Sequence, residues 1–169
     1  SIYVSPLFLF SGKSDLREES KQELDSLASL LTKDWSNVVI ELRSHTDFRG
    51  SDTLNNRLSY DRALSCVEYL VEKGVDSKRL VPVGMASSEP VVLEESTSNL
   101  PIGILDKEYI FKLNSQKLIN AAHQKNRRTD FKVLSDDFNK WIKENPVDLE
   151  DNSQPIKRAT IDQKGQVEP

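Results

Sequence analysis

One stretch constrains the fold more than any other: Ser44-His45-Thr46-Asp47-Phe48-Arg49-Gly50, continuing through Ser51, Asp52 and Asn55 to Leu58-Ser59-Tyr60-Asp61-Arg62-Ala63. It joins two hydrophobic patterns of different period. Before it, Val38, Val39, Ile40 and Leu42 form a β-branched and aliphatic run of strand length. After it, Leu54, Leu58, Ala63, Val67, Leu70 and Val71 recur at three- and four-residue steps until Gly74, a helix stop. The pattern predicts a strand over about 37–45 and a helix over about 53–73. Asp47 then sits just past the C-terminal end of the strand, and Asn55, Ser59 and Arg62, spaced i, i+4, i+7, share one helix face.

That placement implies a chemistry. A carboxylate at a strand end, facing an arginine on a helix whose N-terminus carries partial positive charge, can hold a ligand that bears both an ammonium and a carboxylate. An amino acid, or something like one, is the implied ligand. The competing reading is local: Asp47 forms the turn by bonding nearby amides, Asn55 closes it, and Leu58 belongs to the core.

The segment SHTDFRGSDTLNNRLSYDRALSCVEYLVEKG, followed by RLVPVGMASSEPV, resembles the OmpA-like peptidoglycan-binding domain, whose pattern reads TD, two residues, G, then NxxLSxxRA, then G and P. The resemblance extends to the opening, where a strand ending in Phe precedes Ser-x-Leu, and to Asn126-Arg127-Arg128 leading into a last strand. It implies a β-α-β-α-β-α-β fold of the α/β (α+β sandwich) class, with a mixed four-stranded sheet covered by helices. It also implies that Asp47, paired with Thr46 in the TD motif, binds the ammonium of the peptide's diamino acid while Arg62 binds its carboxylate. Asn55 and Leu58 fall at the pocket wall. Phe48 stands where relatives often carry a polar residue, either stacking on the peptide or exposed without a role. Arg128 matches an arginine near the pocket mouth, against the alternative of a solvated strand-edge side chain.

The remaining chain reads consistently with this class. A first strand is expected from about Leu7, Ser14 is an N-cap candidate, and Leu16, Leu24, Leu27, Leu30 and Leu31 mark a helix over about 16–33. Arg79 to Met85 reads as a third strand, with Pro82 implying an edge or a bulge. Strands alternating with amphipathic helices indicate crossover connections. Residues 87–105 carry loop signals, yet Val91, Val92, Leu93, Ile102, Ile104 and Leu105 suggest that the loop lies back on the fold. A weakly amphipathic helix is expected from Asp106 to about Gln124, then a fourth strand to Leu134. Residues 1–134 are thus expected to form the domain, with 91–125 as an insertion. Residues 135–169 are expected to add a short helix through Phe138, Trp141 and Ile142 and a loosely held polar tail.

Composition excludes several classes. With a net charge of −4, the chain lacks the basic surface that a general nucleic-acid binder needs. It contains no apolar run long enough for a membrane-spanning helix, and we read it as a soluble piece of a longer protein. Cys66 is the only cysteine, so no internal disulfide can form, and its helical neighbours favour a buried thiol. His45, two residues from Asp47, raises the question of catalysis, but no Gly-x-Ser-x-Gly elbow, metal-ligand pair or cysteine cluster accompanies it, and His123 is far along the chain. No catalytic residue, metal or cofactor is expected. The resemblance implies a non-catalytic, periplasmic module that anchors a larger outer-membrane or envelope protein to the diaminopimelate-containing stem peptide of peptidoglycan. The alternative is an assembly module with weak or no wall binding, and a protein partner could use 91–125 or the C-terminal tail in either case.

Overall fold

A computed structural model of the chain describes residues 18–146. The expected first strand, the Ser14 cap and nearly all of the tail lie outside the described residues. Those described follow the order α1 (Glu18–Thr32), β1 (Val39–His45), α2 (Asp52–Glu72), a 3-10 turn (Ser77–Arg79), β2 (Leu80–Ala86), β3 (Val92–Leu93), β4 (Gly103–Ile104), α3 (Lys107–Phe111), α4 (Gln116–Asn126), β5 (Arg128–Ser135) and α5 (Phe138–Glu144). The architecture is mixed α/β, as expected.

Among the described residues the main sheet has three strands in the order β2-β1-β5, where β1 pairs parallel with β2 and antiparallel with β5. The parallel pair requires a crossover, which α2 supplies. Pro82 pairs with Leu42 on β2, an edge strand of this sheet, where its missing donor costs no ladder bond on the outer side. The register slips at Ser44/His45, so that His45 faces Ala86.

One core lies between this sheet and helices α1 and α2, built from Leu24, Leu27 and Leu31 against Ile40, Leu42, Val67, Leu70 and Phe131. Each such side chain removed from water contributes about 1.5–3 kcal/mol. Cys66 is fully buried within it, and burial pushes its thiol up to about 12, so it is inert at neutral pH. Two residues counted on the apolar face of α2 turn outward, Leu54 at 59% and Val71 at 39% exposure. The inward positions are taken by Asn55, Ser59 and Arg62 in the first turns and by Cys66, Val67 and Leu70 in the last.

Helix α2 has both ends closed. The Ser51 side chain accepts from the Leu54 amide, and Gly74, at φ +103°, lets the Gly74 and Val75 amides donate back to Val71 and Leu70. The segment expected as one helix over 106–124 is broken into α3 and α4, because Ser115 caps a new helix by accepting from the Leu118 amide. Residues 91–125 do more than lie back: Leu93, Leu100, Leu105, Ile110 and Ala122 form a second small core.

Gly84 fixes the spacing of β2 and α2. A Cβ there would meet the Tyr60 backbone nitrogen at 2.6 Å and Ser59 Oγ at 2.7 Å, and Ser59 Oγ in turn accepts from the Ala86 amide. Gly84→Ala should therefore lower the unfolding free energy by about 1–3 kcal/mol, read as a reduced urea midpoint. An unchanged midpoint would mean that the two elements do not meet as described.

Candidate functional site

The β1–α2 turn is held by its own side chains. Asn55 Nδ2 donates to the Arg49 carbonyl at 3.0 Å and to the Asp47 carbonyl at 3.4 Å, and Gly50 adopts φ +88°, a conformation that L side chains avoid. Asn55, Ser59 and Arg62 do share the inward face of α2, with exposures of 4%, 0% and 1%.

Asp47 is buried, and its carboxylate receives four hydrogen bonds. The Arg49 amide donates to Oδ1 at 2.9 Å, Arg49 Nε to Oδ1 at 3.1 Å, Arg49 Nη2 to Oδ2 at 2.9 Å and Arg127 Nη1 to Oδ2 at 2.8 Å. Burial alone would raise its pKa, but the bonds from Arg49 and Arg127 win and lower it to about 2. Arg62 lies within the field of both Arg127 and Asp47. Burial and Arg127 lower its pKa to about 10, so it stays protonated at neutral pH. The expected pair thus lies close enough to interact electrostatically, with both side chains in the interior.

His123 comes within 4.0 Å of Asp47 despite its distance in sequence. Burial and the positive charges of Arg49 and Arg127 hold its pKa below the usual imidazole value, so the ring is neutral at pH 7 and the contact is not an ion pair. Phe48 does not project freely: its ring packs edge-on against His123 at 5.0 Å and Phe111 at 5.9 Å, joining the turn to the second core. Leu58 is half-buried on α2. Thr46 and Phe48 line a cleft of about 130 Å³ with Pro90, Leu105 and Lys107, and the buried Thr46 hydroxyl has no hydrogen-bond partner among the described residues.

Arg128 is directed elsewhere. Its guanidinium donates to the Glu89 carbonyl at 3.0 Å and lies 3.7 Å from Asp130, away from Asp47. The neighbouring Arg127 takes the position by the carboxylate. Strand alternation carries the signal: counting back from buried Phe131 through buried Thr129 puts 127, not 128, on the inner face. His45 is also buried and bonds Asp130 at 3.0 Å, so it is not linked to Asp47. Among the described residues no group of His, Cys, Asp and Glu could hold a metal ion, and no helix is long and apolar enough to cross a membrane.

The OmpA family model matches residues 9–99. Outer membrane protein A of Shimwellia blattae is 43% identical over 89 residues, covering 50% of this chain and 35% of that protein. Its counterpart in Salmonella typhi is 45% identical over 89 residues, covering 50% of this chain and 24% of that protein. The match thus spans about a third or less of these relatives' length. Among solved structures, the peptidoglycan-associated lipoprotein from Burkholderia pseudomallei superimposes with a TM-score of 0.56 at 18% identity, over 76% of this chain and 88% of that one. The C-terminal domain of Helicobacter pylori MotB gives 0.57 at 18% identity, over 83% and 91%. These two show a shared fold.

The pKa directions imply an acid-sensitive fold. Asp47 titrates lower when folded than when unfolded, so its contribution is present above about pH 4 and lost as pH falls toward 2; the shift corresponds to about 2 kcal/mol. His45, buried and held neutral, acts in the same direction below its ordinary pKa. Urea midpoints should therefore fall from pH 7 to pH 2, and Asp47→Asn should flatten the portion below pH 4. An equally steep fall in the variant would remove Asp47 from this role.

Proposed function

Since the chain belongs to the OmpA family, we propose that its β1–α2 turn binds the stem peptide of peptidoglycan without catalysis and so anchors a larger envelope protein to the cell wall. The observation that carries the reading is the opposite-charge pair Asp47 and Arg62, set on one turn and one helix face and acting on each other electrostatically. Asp47 supplies the contact to a ligand ammonium and Arg62 the contact to a carboxylate. Thr46 and Phe48 form the adjoining wall. Diaminopimelate fits this pair because it carries both groups on its side-chain end. Arg128 acts at most through the Glu89 loop that it braces.

The relative named for its association with peptidoglycan supports this reading, and the outer membrane protein A relatives support a place in the envelope, in the periplasm beneath the outer membrane. Each charge-assisted contact is worth about 1.5–3 kcal/mol, so a single module binds modestly and wall anchoring relies on many copies. No cofactor or metal takes part. A second reading, an assembly module, draws on the insertion, where Val92, Ile102, Ile104 and Phe111 are 61%, 66%, 51% and 75% exposed.

Sedimentation with insoluble peptidoglycan separates the readings. Because Asp47 and Arg62 are both buried, alanine substitutions would open a cavity as well as remove a charge, whereas amide substitutions remove the charge and keep most of the side-chain volume. Asp47→Asn and Arg62→Gln, checked for fold by circular dichroism, are the better probes. Both should lose retention, whereas Val92→Ser with Ile104→Ser should keep it. Retention of both site variants at the wild-type level would overturn wall binding through this pair.

A further inference from the structure

A carboxylate offers about four lone-pair sites, and all of those on Asp47 are filled by this chain's own donors: three bonds from Arg49 and one from Arg127. A ligand ammonium can reach Asp47 only by displacing one of them. The two arginines are unequal. The Arg127 side chain is 11% exposed, whereas that of Arg49 is 53% exposed. The Arg49 backbone is pinned at both ends, its amide on Asp47 and its carbonyl on Asn55, so its guanidinium can swing away by side-chain rotation while the turn stays in place.

We propose that Arg49 is a displaceable self-ligand of Asp47 that sets ligand selectivity, favouring a ligand that presents a carboxylate beside its ammonium over one that presents an ammonium alone. The argument rests on the wall-binding reading of this site. A zwitterionic end replaces the Arg49 guanidinium on Asp47 and offers it a new anion, so little is lost. A bare ammonium replaces it and offers nothing in return. Arg127 and Arg62 stay in place in both cases, so removing Arg49 still leaves the Asp47 carboxylate with cationic partners.

The test compares diaminopimelate with the methylamide of N-acetyl-lysine, an ammonium with no carboxylate, by titration of wild-type protein and Arg49→Ala. Diaminopimelate affinity should change by less than about threefold, and the lysine derivative should bind the variant at least about tenfold more tightly than wild type. Equal changes for the two ligands, or no gain for the lysine derivative, would overturn the proposal. If neither protein binds diaminopimelate, the wall-binding reading fails instead. The latch is then judged on its own by carboxyl NMR of Asp47: its pKa should rise from about 2 toward the ordinary carboxylate value in Arg49→Ala, and an unmoved value would refute it.

Discussion

The Asp47 carboxylate is the interaction on which the rest of the site depends. Arg49, Arg62 and Arg127 gather around this one anion, and two of them are almost wholly buried, at 1% and 9% exposure. Without the carboxylate, burying those guanidiniums would cost several kcal/mol each. With it, four short bonds fix the turn and keep the carboxylate ionised far into acid. The same group is thus both a structural counter-ion and the feature a ligand would use, which couples recognition to stability.

The fold brings these arginines from three separate elements. Arg62 comes from the inward face of α2, Arg127 from the entry to β5 and Arg49 from the turn itself. Gly84 sets how closely α2 can lie on β2, and Asn55 ties the helix to the turn, so the depth of Arg62 follows from backbone contacts. Phe48 then links the turn to the second core through His123 and Phe111. That link makes the 91–125 insertion one wall of the site, with Leu105 and Lys107 lining the cleft beside Thr46.

Much of this was legible in the sequence because it rests on local periodicity. The strand, turn and helix around Asp47 were within a residue or two of their expected limits, and the spacing of Asn55, Ser59 and Arg62 placed them on one helix face, which the structure buries. What escaped depended on long-range packing or on a single step of register. Arg127 rather than Arg128 meets Asp47 because adjacent strand residues point to opposite faces. His123 reaches Asp47 only through the docking of α4, which no local pattern encodes. The first part of the insertion reads as loop because Ser, Glu, Asn and Pro dominate its local pattern, and the core made by Leu93, Leu100 and Leu105 depends on packing against Ile110 and Ala122 farther along the chain.

The central claim is that one turn recognises a zwitterionic peptide end through Asp47 and Arg62. It is tested most directly by titrating isotopically labelled protein with a diaminopimelate-containing stem peptide and following the amide and guanidinium resonances. The account predicts saturable shifts centred on residues 46–62, including the Nε–H signals of Arg49 and Arg62. Shifts confined to the insertion, or none at saturating peptide, would contradict it.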